Sequence, residues 1–127
     1  MIKQIVAAIL AFTLGINGLA MLFAGSWWYG AVPGVTTTGP FNPHFVMDIG
    51  VAYLVAAGGL AWLAVRPAAG QGALVAAAAF LILHALIHLF DAARGGHGGA
   101  DLARDFLGVF VPAIVAGWLA WPASRQA

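Results

Sequence analysis

The sequence predicts an all-α integral membrane protein, a four-helix up-down-up-down antiparallel bundle, and three observations carry that prediction. Hydrophobic residues make up 63% of the 127-residue chain and charged residues only 7%, against about 45–50% and about 25% in soluble domains. Five Lys/Arg and four Asp/Glu are too few to coat a water-facing surface, which excludes a soluble globular fold and equally a disordered chain. Four apolar runs each reach the roughly 20 residues that a bilayer core requires. The connections between them, of about 18, 6 and 11 residues, are short enough that sequence neighbours become antiparallel neighbours in space. The whole chain, 1–127, reads as one four-span domain.

The first span is expected at about 2–24. Lys3 followed by an apolar run also fits a secretory leader, but the run exceeds a typical leader core, and Leu22-Phe23-Ala24 is a poor cleavage site. We read it as a retained span. The second is expected at 43–65, opened by Asn42 as N-cap and Pro43 at the first helical position and closed before Arg66-Pro67. The third is expected at 72–90 and the fourth at 102–121. Pro112 lies inside the fourth, where its missing N–H frees the Gly108 carbonyl and predicts a kink. Gly15 and Gly18, Ala56 to Gly59 and Ala76 to Ala79 would let helix backbones approach closely. Asn17 is expected to hydrogen-bond across helices.

Charge placement orients the bundle. Lys3, Arg66 and Arg125 fall on the side of the termini, Arg94 and Arg104 on the other, so both termini are expected in the cytoplasm. Trp27, Trp28 and Tyr29 mark the outer water boundary, and Trp62, Trp118 and Trp121 the inner one. A net charge of +1 leaves no basic face for nucleic acid. The expected partners are the lipid bilayer and other membrane subunits or further copies of the chain. With no cysteine, disulfides, iron–sulfur clusters and thiol catalysis are excluded.

Ionisable groups inside a membrane are costly, about 2.5–3.5 kcal/mol each near the centre, and their placement carries the functional information. His44 and Asp48 are spaced i, i+4 on the second helix; His84, His88 and Asp91 are spaced i, i+4, i+7 on the third. By helix rise, Asp48 lies about 6–8 Å inside the outer boundary, His88 about 4–5 Å and His84 about 10 Å. Asp101, Arg104 and Asp105 open the fourth helix at the same boundary. Every such group gathers in the outer leaflet.

If the two stripes face each other, His44, Asp48, His84, His88 and Asp91 form one metal site of nitrogen and oxygen ligands, suited to zinc, iron, copper or manganese. Met21 and Met47 lie at similar depth and keep copper in view. A b-type haem held by His44 and His84 or His88 is a further alternative. Against both stands a purely structural arrangement, with Asp48 or Asp105 paired to Arg104 and the histidines hydrogen-bonded to carboxylates or backbone. Ala85 after His84 breaks the zinc-protease helix motif, and four histidines are too few for a histidine-box oxygenase. No catalytic residue is assigned: glutamate is absent, and no nucleophile stands beside a base in the polar set. Metal-assisted chemistry stays open. His97, in Gly95-Gly96-His97-Gly98-Gly99, reads as a solvated loop residue or a mobile metal recruiter.

The stretch Val32-Pro33-Gly34-Val35, then Gly39-Pro40-Phe41-Asn42-Pro43-His44-Phe45-Val46-Met47-Asp48-Ile49-Gly50, resembles the signature of an uncharacterised family of small bacterial four-helix membrane proteins. Trp28-Tyr29 upstream and Ala52-Tyr53-Leu54 downstream fit the same pattern. The layout is more loosely similar to small DoxX-like membrane proteins. The resemblance implies a bacterial inner membrane and brings no activity with it. Members often carry arginine where this chain has Met47, which removes a local counter-charge for Asp48. In physical terms, Pro33-Gly34 and Gly39-Pro40 are turn signals, and the uncharged first loop is expected to fold back as a lid over the outer end of the bundle.

Overall fold

The computed structural model describes residues 1–95 and 98–121; His97, Ser124 and Arg125 lie outside the described residues. Those residues form five helices and no strand: α1 (Ile2–Phe23), α2 (Gly25–Ala31), α3 (Pro43–Val65), α4 (Gln71–Arg94) and α5 (Gly98–Ala120). α1, α3, α4 and α5 are each long and apolar enough to cross a membrane. α1 packs mainly on α3, α3 on α4 and α4 on α5, around a core of leucine and alanine with Met21, Val46 and Tyr53. Among the described residues no polar or charged side chain belongs to the buried core. The outward faces are themselves apolar, with Ile9, Phe12, Val55, Leu83 and Ile114 all exposed, as crossing a membrane requires.

Small residues set the spacing of the helices. A Cβ on Gly18 would lie 2.8 Å from the Gly50 carbonyl oxygen, and one on Gly50 would lie 2.9 Å from Met21 Cβ and 3.0 Å from the Gly18 oxygen. The backbones of α1 and α3 therefore touch at Gly18 and Gly50. α3 and α4 approach in the same way, where a Cβ on Gly59 would meet the Ala73 carbonyl oxygen at 2.8 Å. Gly58 and Gly72 face open space instead, and Ala76 and Ala79 are exposed while Ala77 and Ala78 are buried. The alanine- and glycine-rich runs thus divide between an inner and an outer face.

The ends are held by specific bonds. Asn42 caps α3 through its Oδ1, which accepts from the Phe45 amide at 3.2 Å, and Pro43 occupies the first turn. Lys3 donates to the carbonyls of Trp118, Leu119 and Trp121 at 3.2, 3.1 and 2.9 Å, neutralising the unpaired acceptors that end α5. Gln4 donates to the Ala64 carbonyl at 3.0 Å. The start of α1 is thereby tied to the ends of α3 and α5.

Four details depart from the sequence expectation. Residues after Phe23 turn into the short helix α2 rather than an open loop, with the break at Ala24. Trp28 folds back there, and its Nε1 donates to Asn17 Oδ1 at 2.9 Å. α4 continues past Phe90 for one turn to Arg94, where a cation is favoured by the helix dipole and lies over the Phe90 ring at 5.1 Å. α5 begins at Gly98 rather than Leu102, with Asp101 in its first turn, the favourable end for an acid. The disturbance from Pro112 takes the form of a π turn over Phe106–Phe110, which widens the helix at the carbonyl the proline ring would otherwise strike.

Candidate functional site

The sequence-predicted site residues separate into two places. His44 and Asp48 pair with each other at 3.5 Å on the rim of α3, their side chains 83% and 61% exposed. Helical phase explains this. The buried stripe of α3 runs through Val46, Gly50, Tyr53, Ala57 and Leu60, and residues two positions away sit about 200° round the helix. His44 and Asp48 precede Val46 and Gly50 by two, so they share the outer face with Val51, Val55, Trp62 and Val65. Asp91 is likewise exposed.

His84 and His88 are brought together. Both flank the buried stripe Leu81–Ala85 of α4, and their ring centres lie 4.8 Å apart, edge to face. His88 Nδ1 stands 2.7 Å from Asp105 Oδ2, with the two side chains only 29% and 12% exposed. His84 rests in an aromatic corner, edge-on to Tyr53 of α3 at 5.8 Å and stacked on Phe80 at 6.0 Å. Tyr53 in turn meets Phe80 edge-on at 5.3 Å.

From Asp105 the polar chain runs outward. Arg104 Nε donates to Asp105 Oδ1 at 2.9 Å and Nη1 to Asp101 Oδ1 at 2.8 Å. The first loop closes onto this arginine: Gly34, at φ +86°, lies so close that a Cβ there would overlap the Arg104 guanidinium. Tyr29 supports the same loop through its hydroxyl, which donates to the Gly39 carbonyl, and through a tilted ring contact with Phe41 at 5.2 Å. The loop thus docks on the start of α5.

The arrangement links α4, α5 and the first loop through one imidazole, two carboxylates and one guanidinium. Every charge in it has a partner, so the network ties the helix ends together without stranding a buried ion. Among the described residues, no three His or Asp side chains converge in a geometry that would hold a metal ion. Met21 and Met47 line one cleft of about 250 Å³ between α1, α2 and the start of α3, together with Phe23, Phe41 and Pro43; no histidine lines it.

Asp105 takes the place beside His88 that the spacing argument reserved for Asp48 and Asp91. Its signal was present, an acid at matched depth in the first turns of the fourth span. Tyr53 and Phe80 were also missed as neighbours of His84, although Phe80 stands four residues before it on the same face. No protein family, curated protein or solved structure matches this chain.

Proposed function

We propose that this chain is a four-span, up-down-up-down subunit of a bacterial cytoplasmic membrane, both termini cytoplasmic, that packs against further transmembrane helices and carries no reaction by itself. The observation behind this reading is the outward face of α4. Gly72, Ala76 and Ala79 follow one another at i, i+4 and i+7 and are exposed, with nothing within 4 Å of a Cβ on Gly72. Small residues on a lipid-facing stripe let a second helix approach to backbone contact, the main source of helix association in hydrocarbon. In this reading the contacts of Arg104 with Asp105 and Asp101 tie the outer end of the subunit together.

The chain has no cysteine, so single cysteines can be introduced cleanly. Ala76→Cys and Ala79→Cys, labelled with benzophenone maleimide and photolysed in native membranes, should give discrete crosslinked species. Ile9→Cys on the exposed face of α1 should give none. Equal crosslinking from all three positions, or none from α4, would sink the reading. Reporter fusions at both termini test the orientation: activity of a periplasm-only reporter at either end would refute it.

A further inference from the structure

We infer that His84 and His88 form a two-nitrogen site for a divalent first-row transition metal, oriented by Asp105, independent of any role the subunit has in packing. The distance between the rings is the first support. Two imidazoles that share one ion at about 2.0–2.1 Å need ring centres about 5 Å apart and the ion in the plane of both rings. The observed separation is 4.8 Å. The planes now stand 68° apart in an edge contact, so side-chain rotation on this one helix must turn a nitrogen of each ring toward the ion.

The second support is the identity of the bonded nitrogen. His88 uses Nδ1 toward Asp105 at 2.7 Å, which leaves Nε2 for a ligand. A carboxylate on the far nitrogen is the usual way in which a metal-binding imidazole is held in one tautomer and made more basic. Asp105 is itself fixed by Arg104 Nε at 2.9 Å, so the carboxylate is preorganised. Among the described residues no protein hydrogen bond reaches the His84 ring, whose neighbours are Tyr53, Phe80 and His88. Its nitrogens are therefore uncommitted. His88 is 29% exposed, so one edge of the pair is open to solvent.

Two imidazoles leave the rest of the shell to water, which makes the site modest in affinity and favours the metals that bind nitrogen most strongly. Copper(II) should bind more tightly than nickel(II) or zinc(II), following the general order for such sites. His44, Asp48 and Asp91 take no part.

Copper(II) and zinc(II) titrations of the full-length protein in detergent test this. One equivalent of copper(II) should bind, with nitrogen hyperfine structure from two imidazoles in the electron paramagnetic resonance spectrum. His84→Ala or His88→Ala should weaken binding at least about tenfold, and Asp105→Asn by about 10–100-fold. His44→Ala and Asp91→Ala should change nothing. A readout without variants guards against misfolding: bound zinc(II) should shield His84 and His88 of the unaltered protein from diethyl pyrocarbonate while His44 stays reactive. Unshielded His84 and His88 at saturating metal, binding insensitive to both alanine variants, or equal loss in His44→Ala would each overturn the proposal. A Soret band in purified protein that disappears with His88→Ala would overturn it in favour of haem.

Discussion

Replacing Gly50 by alanine isolates the contact that sets the α1–α3 spacing. The added methyl would stand 2.9 Å from Met21 Cβ, 3.0 Å from the Gly18 oxygen and 3.3 Å from the Leu22 nitrogen. Two of these atoms are backbone and Met21 is 2% exposed, so no side chain can swing away. The helices must part by roughly half an ångström, a gap that forfeits a quarter or more of each lost contact. Overpacking of this kind costs about 1–3 kcal/mol, opposed by the helix preference of alanine over glycine, about 0.5–1 kcal/mol. Gly58, eight residues further along the same helix, faces open space, so Gly58→Ala carries the preference alone. The difference between the two variants therefore removes the propensity term and leaves about 1–3 kcal/mol, roughly 5- to 150-fold in the folding equilibrium. Reversible unfolding in mixed micelles, followed by tryptophan fluorescence, measures it. Equal stability of Gly50→Ala and Gly58→Ala would refute the backbone contact at Gly18 and Gly50.

Other substitutions probe the ends of the helices. Lys3→Met removes the donor to three terminal carbonyls of α5 and should lower stability by about 1–2 kcal/mol; the same unfolding assay with Lys3→Arg, expected to retain most of it, separates capping from helix content. Gly34→Ala should cost about 2–3 kcal/mol, because alanine resists the left-handed backbone, at about 1–2 kcal/mol, and its methyl displaces Arg104 from Asp101 and Asp105. In an Arg104→Ala background the same change should retain only the backbone cost. A coupling energy near zero in that double-mutant cycle would mean that the first loop does not rest on Arg104.

The four long apolar helices were legible in the sequence because they depend on local quantities. Hydrocarbon accepts few charges, and a helix is the only open-ended element that satisfies its own backbone there; nine charges in the chain and four long apolar runs suffice. The cap of α3 was equally local, since Asn42 and Pro43 act within one turn. Spacing also placed His84 and His88 on one stripe, and the i, i+4 relation alone makes them neighbours. Spacing left undecided which stripes face each other.

That choice rests on helix phase, and phase is set by packing. Gly18 meeting Gly50 turns the Val46–Gly50–Tyr53 face of α3 inward, which carries His44 and Asp48 to the opposite side and presents Tyr53 to His84. Asp105 reaches His88 because α5 lies against the end of α4. The first loop finds Arg104 through a glycine at positive φ, a contact across 70 residues that no local pattern encodes. Element existence followed from the length and apolar composition of single segments. The composition of the polar cluster was decided by contacts between helices, where a rotation of about 100° per residue changes every partner.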